Sequence, residues 1–143
     1  MMNIRTPTTE KEWEDYYDLR YRILRKPLGK PIGSEKNEGD KSGKHFALYS
    51  HNQLKAIARL DQAGREISQV RFVAVEENTQ GQGFGKKIMR AVEFDSKKSG
   101  NQKMILQARE NALEFYLKLD YKVIKKTHLL FDQVQHYLLE KEY

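Results

Sequence analysis

The residues with the most chemistry in them form a glycine-rich run, Gln80-Gly81-Gln82-Gly83-Phe84-Gly85-Lys86. It follows an apolar stretch that reads as a strand, Ile67 to Val75, and opens a segment of helical periodicity, Lys86 to Lys98. Backbone N–H groups converge at a helix start, the macrodipole there favours negative charge, and glycine lets the backbone close on a ligand. The run therefore reads as a site for a phosphate-type anion. Lys86, Lys87 and Arg90 point the same way. Cations in the first turns oppose the helix dipole by ~0.3–1 kcal/mol each, and a docked polyanion resolves that conflict. Spacing excludes two phosphate-loop families. A Walker A loop ending in Gly85-Lys86 needs Gly at 80 and Ser or Thr at 87, where Gln80 and Lys87 stand. A dinucleotide fingerprint from Gly81 and Gly83 needs Gly or Ala at 86, where Lys86 stands.

The spacing that remains is Gln-x-x-Gly-x-Gly, met by Gln80, Gly83 and Gly85. It resembles the acetyl-CoA-binding motif of the GNAT N-acetyltransferase superfamily. A second stretch is similar too: Asn111-Ala112-Leu113-Glu114-Phe115-Tyr116, running on to Asp120-Tyr121. It has the Asn and the aromatic-Tyr pair, with Asp120 where the family usually has Gly. Asp tolerates left-handed backbone, so the turn can survive. The similarity covers roughly residues 45 to 143 in the order of elements.

The resemblance implies a mixed, mostly antiparallel sheet of six to seven strands with helices on both faces, an α/β (α+β) fold in one domain over 1–143. It implies that the strand Phe72-Val73-Ala74-Val75 splays from the next parallel strand near 104–108. The pantetheine arm of acetyl-CoA would pair with the freed groups of Val73 and Val75. Backbone from Gln80 through Gly81, Gln82, Gly83, Phe84 and Gly85 to Lys86 would hold the pyrophosphate. Asn111 would contact the arm or cap its own helix. Tyr116 matches the family's tyrosine that protonates the departing CoA thiolate, although Phe115 and Leu119 are the better candidates for the core. The acceptor is a primary amine, of a small molecule or a protein, attacking directly. Its ammonium must first lose a proton, because it has no lone pair. Some relatives place a Glu at the position of Gln69, which cannot titrate. The candidate bases, acting directly or through water, are instead His45, His128, Glu35, Glu38 and Asp40. No metal is expected, since His45, His51, His128 and His136 lack metal-ligand spacing.

These residues need elements to position them. Thr9 and Glu12 are spaced as a capping box, and Trp13, Tyr16, Tyr17, Tyr21 and Leu24 follow at helical spacing. Pro27, Gly29, Pro31 and Gly33 end that helix, and Ser34 to Lys44 reads as an exposed, functional or mobile loop. Residues 45–50 and 54–60 read as a hairpin, with 67–75 as a third strand. The next helix turns Ile88, Met89, Val92 and Phe94 inward. Then come a strand at 104–108, a helix capped by Asn111, and two strands joined near Asp132-Gln133.

The 143 residues suit one domain with a real core. Lys and Arg number 26 against 20 Asp and Glu, a formal charge of +6 that favours anionic partners. There is no cysteine, which excludes disulfides, Cys-ligated metals and a thiol nucleophile. No apolar run approaches the ~18 residues of a membrane span and no signal peptide is visible, so a cytoplasmic, non-membrane protein is expected. The rival is a non-catalytic module binding acyl-CoA or nucleic acid. Nucleic-acid binding would want a Lys/Arg stripe with stacking aromatics, whereas the basic residues are dispersed. A homodimer is compatible with the sequence.

Overall fold

The computed structural model describes residues 1–143. Seven strands form one sheet: β1 (Met2–Arg5), β2 (Lys44–Ser50), β3 (Gln53–Gly64), β4 (Ile67–Val75), β5 (Lys103–Arg109), β6 (Lys122–Leu130) and β7 (Val134–Glu142). Their order across the sheet is β1-β2-β3-β4-β5-β7-β6. Every neighbouring pair is antiparallel except β4 and β5, which a helical crossover joins in parallel. The expected mixed sheet is borne out. β1 is the one strand the sequence reading lacked. Its four residues, too few to show a period, pair with residues 47–50 of β2.

Helix α1 (Glu10–Leu24) starts at Thr9 with the expected capping box and packs Tyr16 and Leu19 on one face of the sheet, against Ala47, Ile57 and Ala74. Helices α2 (Phe84–Lys98) and α3 (Leu113–Leu117) cover the other face, where Ile88, Met89 and Val92 meet Phe46, Leu48, Ala58 and Val70. Phe94, expected inward, is 68% exposed. The helix has room for one apolar stripe, and Ile88, Met89 and Val92 fill it.

The loop expected to be mobile is instead stapled down. Two fully buried guanidiniums, Arg20 of α1 and Arg59 of β3, each lie 2.8 Å from Oδ1 of Asp40. Arg59 also donates to Asn37 and Asp61. Glu35 is buried, its Oε1 accepting from the Gly33 N–H.

Strand β4 carries a bulge. Phe72 sits at φ 55°, a conformation an aromatic residue rarely adopts. The register skips there, from Arg59–Arg71 to Ile57–Ala74. Val70 faces α2, whereas Ala74 faces α1 and Val73 and Val75 turn toward α2. Residues 72–75 alternate between two faces that are both covered by helices, which is why the run is continuously apolar. The Phe72 ring is held beneath the Arg20 and Arg59 guanidiniums at 4.3 and 5.0 Å.

Candidate active site

The ladder between β4 and β5 has three register pairs, Ile67–Lys103, Ser68–Met104 and Gln69–Ile105, and then stops. Beyond Gln69 the bulge carries β4 away from β5, and a cleft opens between them. The Glu76 N–H donates to the Lys55 carbonyl on β3. In an antiparallel ladder alternate residues face the same neighbour. Ala74 and Glu76 therefore bond toward β3, and the N–H and C=O groups of Val73 and Val75 face the cleft. The Val75 carbonyl accepts from the Gln80 side chain at 3.2 Å.

The glycine-rich run follows the end of β4. Gly81 and Gly83 take φ of 90° and 85°, and Gly83 is the N-cap of α2 with no side-chain cap. The Lys87 N–H donates to the Gly83 carbonyl, so the N–H groups of Phe84, Gly85 and Lys86 precede the first helical bond and have no helical acceptor. Phe84 and Gly85 are buried, Lys86 and Lys87 exposed, and the first turn holds no acid. Gly85 serves packing: a Cβ there would lie 3.1 Å from the Phe115 ring and 3.4 Å from Val75.

Asn111 is exposed and caps nothing. A 3-10 turn at Glu110–Ala112 precedes α3, whose N-cap is Ala112, so the helix starts one residue later than its Asn suggested. At the other end Asp120 takes φ 72°, and the Tyr121 N–H reaches back to the Tyr116 carbonyl, a left-handed helix stop made by Asp in place of Gly. Tyr116 is 8% exposed, whereas Phe115 and Leu119 are only partly buried. The core ranking expected from sequence is thus reversed. The Tyr116 ring packs edge-on against Phe115 and Tyr121, and its hydroxyl lines the cleft without a protein partner. Burial pushes its pKa above the usual tyrosine value, only partly offset by Arg109.

The cleft encloses about 180 Å³. Of the candidate bases only His128 lines it, as does Gln69, which cannot titrate. Asp40 is held by two arginines, and Glu38 pairs with Lys41 on the surface. His45 lies in a buried chain of hydrogen bonds. Its Nε2 contacts the Asp40 carbonyl, which can only accept, so Nδ1 carries the lone pair and receives the Tyr16 hydroxyl at 2.7 Å. Burial holds its pKa below the ordinary histidine value.

His136, which spacing gave no reason to select, also lines the cleft. It is buried and stacks on His128 with ring centroids 4.5 Å apart. Its Nδ1 lies 3.0 Å from the Val134 carbonyl, so Nδ1 carries the proton and Nε2 the lone pair. Burial lowers its pKa, with His128, Arg109 and Arg25 pushing the same way. Its inward place on β7 is a signal of strand parity that a search for ligand spacing passes over. No group of three or more His, Cys, Asp or Glu is placed to hold a metal ion, and no helix is long and apolar enough to cross a membrane.

Residues 30–142 match the family model described as an acetyltransferase (GNAT) domain. A Bacillus subtilis (strain 168) protein named provisionally as an acetyltransferase is 26% identical over 144 residues, covering 99% of this chain and 97% of its own. A Lactobacillus plantarum structure described provisionally as an N-acetyltransferase superposes with a TM-score of 0.86 at 18% identity, covering 99% and 97% of the two chains. A GNAT family acetyltransferase from Elizabethkingia anophelis, solved with acetyl-CoA bound, gives 0.81 at 17% identity, covering 99% and 98%.

Proposed function

The chain belongs to the GNAT acetyltransferase family, and from that premise we propose that it moves the acetyl group of acetyl-CoA onto a primary amine by direct attack. The observation that carries this reading is the parting of β4 and β5 beside the uncapped start of α2. Val73 and Val75 present backbone groups to the cleft, which suit the amide-bearing pantetheine arm. The free N–H groups of residues 84–86, with Lys86 beside them, suit the pyrophosphate. Gln80, Gly81, Gln82 and Gly83 shape the loop that delivers them, and Phe72 and Ala74 set the course of the strand. Asn111, with no cap to serve, is free for the arm.

Acetyl-CoA supplies an acetyl group activated as a thioester. His136 takes the proton from the incoming ammonium at Nε2, directly or through water, since burial keeps that nitrogen unprotonated at neutral pH. Gln69, on the cleft wall, has no proton-accepting role and orients the acceptor. Tyr116 keeps its own proton until charge gathers on the departing sulfur, then donates to it. The nitrogen–carbon bond forms as the carbon–sulfur bond breaks; the ammonium's first proton leaves through His136 to solvent, and its second, lost as the amide forms, balances the one that Tyr116 gives the thiolate. The protein has no cysteine, so a thiol-reactive dye reads released CoA alone. Acetyl-CoA should raise the melting temperature, and an amine panel should release CoA. His136→Gln should lower kcat and leave the acetyl-CoA Kd in place. A melting temperature unmoved by saturating acetyl-CoA would overturn the reading.

A further inference from the structure

Six arginines are at least partly buried: Arg5, Arg20, Arg22, Arg25, Arg59 and Arg109. Four of them meet a carboxylate within 3 Å. The other two, Arg25 and Arg109, form no ion pair, and both line the same cleft. So does the exposed Arg71, also without an acidic partner. No Asp or Glu lines that cleft. Burying a cation without a counter-charge is costly, so a protein keeps such a group where an anion completes it.

The guanidiniums are oriented as well as unpaired. Arg25 donates to the Ser34 and Leu24 carbonyls at 3.1 Å each, and Arg109 donates to the same Leu24 carbonyl at 2.7 Å. Arg25 lies between the rings of Phe72 and Phe131, 5.6 and 5.3 Å from their centroids, and Arg71 lies 5.6 Å from Phe72. The N–H groups of Arg25 and Arg109 that carbonyls do not take are not buried, so they stay available to a ligand. Burial and the nearby Arg109, Arg20 and Arg71 lower the pKa of Arg25, with Glu35 opposing from beyond ion-pairing distance. The charges therefore converge on one place. It is separate from the start of α2, where the pyrophosphate is assigned, and beside His136.

We propose that the cleft selects an acceptor whose primary amine sits next to an anionic group, a carboxylate or a phosphate, held by Arg25, Arg71 and Arg109. The proposal rests on the acetyltransferase reading above and names its substrate class. The arginine fork grips the anion, which leaves the amine beside Nε2 of His136. Polycationic amines are repelled by the same three charges.

The test is CoA release with matched acceptors: glycine against glycinamide, phenylalanine against phenethylamine, and phosphoethanolamine against ethanolamine. The anionic member should have a kcat/KM about tenfold or more above its partner, as expected for a charge-assisted hydrogen bond. The pair showing the larger ratio separates carboxylate from phosphate. Arg25→Gln and Arg71→Gln should bring the ratio toward one through KM, with the acetyl-CoA Kd unchanged. Arg71 is exposed, so its variant folds whatever becomes of Arg25→Gln. A second arm needs no turnover: N-acetylglycine and N-acetylglycinamide are titrated into the CoA-saturated protein. Binding of the acid alone, weakened in Arg71→Gln, supports the proposal. Equal preference within pairs, a preference the arginine variants leave intact, or no selective binding of the acid overturns it. A rise in acetyl-CoA Kd in those variants would assign the arginines to the cosubstrate and overturn it too. Failure of the wild-type protein to bind acetyl-CoA would instead fell the acetyltransferase reading, and it shows before any acceptor is added.

Discussion

Two glycines allow the phosphate-loop assignment to be separated from fold stability. Gly83 caps the start of α2 at φ 85°, and Gly100, just past its end, has φ 92°. Neither would place a new Cβ within 4 Å of another group. Valine at either position is penalised by its backbone alone, by about 1–2 kcal/mol, which in a chain of this size lowers the melting temperature by roughly 3–8 °C. Gly83→Val and Gly100→Val should therefore melt alike without ligand. With acetyl-CoA at a hundred times its Kd, wild type and Gly100→Val should each gain ~2.7 kcal/mol. In Gly83→Val the side chain stands over the free N–H groups of residues 84–86. If its Kd rises a hundredfold, the gain at the same concentration falls to about 0.4 kcal/mol. Thermal melts of the three proteins across an acetyl-CoA titration read both quantities. Equal ligand shifts in the two variants would refute the placement of the pyrophosphate at the start of α2.

The cleft tyrosine, the buried histidines and the staple of the loop are each open to test. Tyr116→Phe should lower kcat by about 10²-fold with little change in acetyl-CoA Kd or melting temperature, because the hydroxyl it removes has no partner in the protein; rapid-quench kinetics confirming that chemistry limits kcat make the comparison decisive. His45 and His136 are both held below the ordinary histidine pKa by burial. The unfolded chain therefore takes up their protons first, and the stability they contribute is whole above about pH 6.5 and is lost as pH falls toward their folded values. Melting temperature should decline below that pH, and His45→Gln should flatten the decline; a flat wild-type profile between pH 7 and 5.5 would contradict it. Asp40→Asn leaves Arg20 and Arg59 buried without their shared carboxylate and should cost about 3–5 kcal/mol. Glu38→Gln, in an exposed pair with Lys41, should leave the melting temperature where it was.

The parts of the site made of backbone were legible in the sequence, because glycine and its neighbours dictate backbone directly. Gln80, Gly83 and Gly85 marked the loop, and the apolar run at 72–75 marked a strand at the cleft. The sequence did not show the bulge at its start. A bulge at Phe72 shifts parity by one residue, and it depends on guanidiniums from α1 and β3 that lie far away in the chain. Asp40 shows the same difficulty. In sequence it is one acid in a polar loop, and only the approach of Arg20 and Arg59 makes it a staple. His136, Arg25 and Arg109 come from β7, the end of α1 and the end of β5. Nothing local distinguishes an arginine that lacks a carboxylate from the others in a chain this rich in charge.

The three register pairs that join β4 to β5 also make a mechanical element. They tie the sheet half made of β1–β4 to the half made of β5–β7 at one end only, like the closed end of a fork. From Gln69 to Val75 the stretch of β4 parted from β5, still paired with β3, is roughly 20 Å long at strand spacing. A tilt of a few degrees at the joint thus moves its tip by roughly 1–2 Å, by simple leverage over that length. The joint is pinned by the Ser68 and Ser96 hydroxyls, 2.5 Å apart, which connect β4 to the underside of α2. A larger side chain at this remote point would change the gape at the far end. The gape of the cleft would thereby respond to two residues that do not line it.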